Sequence, residues 1–392
     1  MTDASPPGPP PDPGTDVALY VHWPYCARIC PYCDFNVVRD RGRRQEQTGL
    51  VAAILADLQA QRALTGPRRL ASIFFGGGTP SLMAPDAVSR IIATARTLFP
   101  PAGEIEITLE ANPTDAEARR FAALAEAGVN RLSMGVQALD DAALRFLGRD
   151  HSADEALRAV DLAGRAFRRL SIDLIYARPD QTPDQWASEL TTALALGFEH
   201  VSPYQLTIEP TTAFGRALAR GTLIPPDEDV AAALYETTQA VLSTAGFDAY
   251  EVSNHARGPA ARSAHNLHVW RGGDYLGLGP GAHGRLTLDG VRTSTVAHRR
   301  IADYVAGVAT GAPWSERESL TAADAAEERF LLALRTTEGA PAALLSPLGL
   351  TPDVAPVADL IADGFLMLHS GRLIATDKGR PVLDGVLKAL LT

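Results

Sequence analysis

All three cysteines of the chain fall in one loop, Cys26-x3-Cys30-x2-Cys33. Thiolates are soft ligands, so three at this spacing point to a bound metal or metal cluster. Two chemistries compete. A structural zinc ion takes four ligands, usually from two cysteine pairs. No second pair exists, so His22 would have to complete that site. A cubane iron–sulfur cluster held by three thiolates would instead leave one iron open to a small molecule. The odd, low cysteine count and an N-terminus without the pattern of a secretory leader argue against a disulfide framework and for a reducing, cytoplasmic setting.

A second feature follows the next apolar run, Ser72-Ile73-Phe74-Phe75, as Gly76-Gly77-Gly78-Thr79-Pro80. Glycines let backbone amides approach a polar ligand without Cβ interference. A triple glycine is also an ordinary strand-to-helix turn. Four of the nine histidines, His255, His265, His268 and His283, crowd into one later stretch. The short basic run Arg39, Arg41, Arg43 and Arg44 reads as a solvated helix start.

Val17-Ala18-Leu19-Tyr20-Val21 predicts a buried strand running into the cysteine loop. Strand and helix then alternate. Helical spacing covers Gln45 to Leu64, Pro85 to Leu98, Thr114 to Ala127, stretches from Asp140 and Ser152, and Pro183 to Leu196. Strand spacing covers Ser72 to Phe75, Glu104 to Leu109, Arg131 to Met134, Ser171 to Ile175 and His200 to Tyr204. Six strands with helical crossovers predict an α/β fold, a partial (β/α)6 TIM-like barrel with polar residues gathered on one rim.

Four segments are expected. Residues 1–16 form a Pro-rich, disordered tail and 17–245 the partial barrel. Residues 246–318 form an irregular, His-rich segment, and 319–392 a C-terminal helix–helix–hairpin–helix unit, a winged-helix-like α+β domain. The 392 residues are 46 % hydrophobic and 21 % charged, enough to fill a large core. A net charge of -10 excludes general nucleic-acid binding, which needs a basic footprint. No apolar run approaches the roughly 18 residues of a membrane span.

Cys26-x3-Cys30-Pro31-Tyr32-Cys33 together with the glycine run resembles the signature of radical S-adenosylmethionine (SAM) proteins. The likeness widens through Val21-His22-Trp23-Pro24-Tyr25-Cys26, Glu110-Ala111-Asn112-Pro113, Arg131-Leu132-Ser133-Met134-Gly135-Val136-Gln137, Leu147-Gly148-Arg149 and Ser171-Ile172-Asp173-Leu174-Ile175-Tyr176. These stretches resemble the anaerobic coproporphyrinogen III oxidase (HemN-like) family, and within it the HemW haem-chaperone branch. The resemblance implies a [4Fe-4S] cluster on Cys26, Cys30 and Cys33. It also implies SAM contacts at Tyr20, Tyr32, Gly76, Gly77, Gly78, Thr79, Glu110, Gln137, Arg149 and Asp173. The residue types suit that role. Glu110 and Asp173 can accept from ribose hydroxyls or the SAM ammonium, Arg149 is a planar fork for a carboxylate, and Tyr32 can press on adenine.

Two differences separate the branches. Phe35 stands where the oxidases carry a further cysteine, and only 25 residues precede Cys26, where the oxidases have a longer N-terminal part. His265-Asn266-Leu267-His268-Val269-Trp270 resembles a His-Asn-Leu-x-Tyr-Trp motif for haem attachment, with Val269 in place of tyrosine. The implied ligand is His265. His268 is the alternative, and both His265 and Asn266 also read as residues that brace a loop by hydrogen bonds. The resemblance thus implies a haem chaperone that hands haem to haem-accepting proteins, respiratory and membrane-peripheral ones among them. The alternative is an oxidase that decarboxylates two propionates of coproporphyrinogen III. Homodimerisation is left open.

Overall fold

A computed structural model describes residues 15–391. The expectation of a disordered tail therefore lies outside the described residues, except at its end, where Asp16 already begins the first strand.

The six expected strands form the parallel centre of one sheet: β1 (Asp16–Trp23), β2 (Arg69–Gly77), β3 (Glu106–Ala111), β4 (Arg131–Gln137), β5 (Arg169–Tyr176) and β6 (His200–Gln205). They lie side by side in chain order, each paired in parallel with the next. Helices α1 (Arg44–Thr65), α2 (Pro85–Leu98), α3 (Ala153–Ala166) and α4 (Pro183–Leu194) supply crossovers. Leu19 and Val21 of β1 and Ile73 and Phe75 of β2 join Leu50, Ile54 and Leu58 of α1 in one core. The alternate residues, Tyr20, His22 and Phe74, face the other side of the sheet, as strand pleating requires.

Two helix starts follow from local chemistry. Ser152 before α3 and Thr182 before α4 each form a capping box, with Glu155 and Gln185 as reciprocal partners. The helix expected over Thr114 to Ala127 is broken in two, Asp115–Ala118 and Phe121–Glu126. At the break, Arg120 turns back to donate to the Met83 carbonyl, and Glu117 is drawn inward to Ser81 and to the Asn112 amide.

The stretch expected to be irregular is largely ordered. After α5 (Glu228–Thr244) and the seven-residue α6 (Ala264–Trp270) come β7 (Asp274–Leu278), β8 (His283–Leu288) and β9 (Val291–Ala297). Helix α7 (Ile301–Thr310) and β10 (Trp314–Ser319) follow. Strand β7 pairs in parallel with β1, and β8, β9 and β10 extend that edge antiparallel. The whole order is β10-β9-β8-β7-β1-β2-β3-β4-β5-β6, then His255–Ala256 and Asp248–Ala249. The ends do not meet, so the barrel is partial.

The C-terminal α+β region has its own core, in which Phe330, Leu345, Val357, Leu373 and Leu390 are buried together. It comprises α8 (Ala322–Leu334), α9 (Val357–Ala362), the hairpin β11 (Leu366–His369) and β12 (Arg372–Ala375), and α10 (Leu383–Leu391). It is tied to the sheet side by ion pairs of Arg271 with Glu338 at 2.6 Å and Arg335 with Glu251 at 3.1 Å.

Candidate cofactor site

The cysteine loop leaves the end of β1 and is pinned at both sides. Val38 and Asp40 donate to the carbonyls of Pro24 and Cys26 at 2.8 and 2.7 Å. From below, Gly78 and Thr79 donate to the carbonyls of Trp23 and Tyr25 at 2.7 and 2.8 Å. The glycine run is thus stitched under the loop. A Cβ on Gly78 would lie 2.8 Å from both of those carbonyl oxygens. Gly77 has a φ of +106°, and a Cβ there would come within 2.5 Å of the His22 ring.

Cys26 is buried, and its thiol is pushed up to about 12, first by burial. Cys30 and Cys33 are half-buried, and burial also raises Cys33. Among the described residues, no three His, Cys, Asp or Glu side chains converge on one metal-ion position. Nor does His22 join the thiols. Its Nε2 is 2.8 Å from the Asn36 carbonyl and its Nδ1 is 3.1 Å from the Tyr20 hydroxyl. It braces the loop.

Arg149 links the loop to the sheet. It donates to Cys30 Sγ at 3.4 Å, to Asn112 Oδ1 at 2.5 Å and to the Gly135 carbonyl at 2.9 Å. Its approach depends on Gly148, whose φ is +68° and whose Cβ would lie 2.5 Å from Pro31 Cδ. Glu110 accepts from the Gly77 amide at 3.2 Å. Burial, and then the neighbouring Asp173, push its carboxyl up to about 8. Asp173, which accepts from Ser133 Oγ at 3.3 Å, is pushed up to about 6 by burial. A cation bound beside the two would restore both charges.

The three cysteines, Tyr32, Gly77, Gly78, Thr79, Glu110, Gln137, Arg149 and Asp173 line one cavity of about 470 Å³. Gln137 Oε1 and Arg149 Nε are buried there without a partner. Native proteins leave few such atoms, so the cavity wall fits a polar ligand that would satisfy them. Gly76 and Tyr20 do not line this cavity; a Cβ on Gly76 would meet Tyr20 and Phe74 instead. Sequence reasoning missed Asn112, Ser133 and Tyr204 in the wall. Asn112 belongs to the run Glu110-Ala111-Asn112-Pro113, and its place directly after a strand is the available signal.

A second cavity, of about 740 Å³, lies against the first and shares Asp34, Phe35, Gly77 and Glu110 with it. Its size is within the roughly 300–1,000 Å³ of small-molecule pockets. Tyr20 and Phe74 line it together with His265, Asn266, Val269 and Trp270 of α6. His265 is only 6 % exposed. Its Nδ1 lies 2.9 Å from Ser72 Oγ, its ring packs on Phe74 at 5.0 Å between centroids, and no hydrogen bond among the described residues engages Nε2. Burial lowers its pKa to about 3, so the imidazole is neutral near pH 7. His268 is not in this wall; its Nε2 is held 2.8 Å from the Asp274 carbonyl. His255 is bound to Gln239, away from the cavity. Phe35, 62 % exposed, borders both cavities.

Comparison with known proteins gives the same outline. Residues 20–191 match the model of the Radical SAM superfamily, and residues 320–382 that of the HemN C-terminal domain. The chain is 40 % identical to the mitochondrial radical S-adenosyl methionine domain-containing protein 1 of Mus musculus, covering 98 % of this chain and 90 % of that protein. It is 37 % identical to the heme chaperone HemW of Escherichia coli, covering 96 % and 98 %. The solved structure of the E. coli coproporphyrinogen III oxidase HemN superposes with a TM-score of 0.79 at 22 % identity, over 98 % of this chain and 91 % of that one. That likeness concerns the fold. No helix among the described residues is long and apolar enough to cross a membrane.

Proposed function

The chain belongs to the radical SAM superfamily, among relatives that include the heme chaperone HemW, and from that premise we propose that it is a haem chaperone. In this reading Cys26, Cys30 and Cys33 hold a [4Fe-4S] cluster, and the cavity beneath them binds SAM. When bound, the cluster supplies an open iron and an electron next to SAM. Tyr32 and Gln137 would hold the adenosyl part, Glu110 and Asp173 the hydroxyls or ammonium, and Arg149 a carboxylate. Haem would occupy the second cavity and pass from there to haem-accepting proteins. The unpaired thiols fit a reducing compartment such as the cytoplasm.

The observation that carries the reading is His265. It is a buried, neutral imidazole, fixed at one nitrogen by Ser72, with the other unengaged in a cavity that touches the cysteine site. Neutral imidazole is a good haem-iron ligand. With the proton on Nδ1 and donated to Ser72, the Nε2 lone pair is available. Phe74, Val269 and Trp270 offer flat apolar contact for a macrocycle.

The shared wall of the two cavities also favours a second reading, a porphyrinogen oxidase with its substrate beside SAM. One sample separates them. After anaerobic reconstitution with iron and sulfide, the protein is given haem and an apo-haemoprotein acceptor, and separately coproporphyrinogen III with SAM and a reductant. Haem binding and transfer without porphyrinogen turnover supports the carrier. Turnover overthrows it. Retention of zinc with no cluster formed overthrows both.

A further inference from the structure

We propose that His283 is the second axial ligand of the haem iron, facing His265 across the larger cavity, so that ferric haem is held by two neutral imidazoles. This rests on the haem-carrier reading above.

The sheet places His283 at one end of a row whose other end, Phe74, packs against the His265 ring. Phe74 of β2 is in register with Tyr20 of β1, and Tyr20 with Gly277 of β7. Gly277 in turn lies against the backbone of His283 at the start of β8, where a Cβ would run into the His283 carbonyl. The row therefore reads His283, Gly277, Tyr20, Phe74, and the His265 ring packs on Phe74. Three strand spacings of about 4.8 Å put the backbones of His283 and Phe74 about 14 Å apart. His283 and His265 both line the cavity between.

The remaining donors in the wall are poorer candidates. Both ring nitrogens of His22 are engaged, by Asn36 and Tyr20. Burial raises the phenols of Tyr20 and Tyr275, which disfavours the phenolate that iron would need. The His283 ring has no hydrogen bond among the described residues, and burial lowers its pKa, so its lone pair is free near neutral pH. Ligation is a simple donor bond from each imidazole to iron, with no change of oxidation state.

The test is electron paramagnetic resonance of the ferric haem complex of the full chain. Wild-type protein should give a low-spin, bis-imidazole signal. His283→Ala should still bind haem, ~10-fold more weakly, with a high-spin signal that added imidazole converts back to low spin. His283→Gln provides a second, less disruptive variant with the same expected change. A high-spin wild-type complex, or low-spin variants without added imidazole, would overturn the assignment while leaving the carrier reading intact. Failure of the wild-type chain to take up haem would overturn both.

Discussion

Ser72 and His265 are 193 positions apart in the chain, yet Ser72 Oγ lies 2.9 Å from His265 Nδ1. Ser72 sits on β2, the strand that ends in the glycine run under the cysteine loop. One strand thus positions both the floor of the cysteine cavity and the histidine of its neighbour. Removing the hydroxyl leaves a buried ring nitrogen unpaired, at a cost of about 1–3 kcal/mol. Ser72→Ala should lower stability by that order in denaturant titration and weaken haem binding, with cluster content unchanged. Wild-type haem affinity in that variant would detach Ser72 from the site.

Arg149 ties three elements at one point, and lysine cannot reproduce its fork. Arg149→Lys should leave the acceptors at Asn112 and Gly135 incompletely paired, at about 1–3 kcal/mol in the protein without cofactors. Cluster loading, followed by iron and sulfide analysis, should fall as well, because the guanidinium beside Cys30 is displaced. Full loading with unchanged stability would contradict the role given to Arg149.

Gly77 and Gly66 both have positive φ, +106° and +69°, but only Gly77 is crowded. Replacing Gly66 by alanine costs conformational strain alone, about 1–3 kcal/mol, because a Cβ there meets nothing within 4 Å. Gly77→Ala should cost more and should abolish SAM binding in equilibrium dialysis, since His22 and the loop it braces must move. Equal effects of the two substitutions would argue against a close fit at Gly77.

Glu110 makes the cofactor-free protein pH-sensitive. Its carboxyl is raised from 4.5 to about 8, so between these values the folded chain keeps a proton that the unfolded chain has released. Stability from this group is therefore present below about pH 4.5 and is lost as pH rises towards 8. Glu110→Gln, which stays neutral, should gain stability relative to wild type over that window in denaturant titrations. A difference that is flat with pH would show that Glu110 does not titrate as described.

The six parallel strands and their five helical crossovers were legible because their apolar spacing is regular and two of the helices start in capping boxes, at Ser152 and Thr182. The region of β7 to β10 was not. Asp274-Tyr275-Leu276-Gly277-Leu278 contains glycine and is too short for a periodic pattern. Trp314 to Ser319 is an edge strand with an almost wholly exposed, charged face, so no alternation marks it. At seven residues, α6 is too short to reveal helical period, and its histidines read as loop residues. The cysteine loop and glycine run were visible as local motifs. Their junction through Arg149, Asn112 and Gly135 depends on contacts between distant strands that residue spacing does not encode.

The most direct test of the account is a haem titration of cluster-loaded wild-type and His265→Ala protein, with iron and sulfide measured on the same samples. The account predicts saturable binding by wild type, binding at least ~10-fold weaker in the variant, and equal cluster content in both. Equal haem affinity with equal cluster content would contradict it.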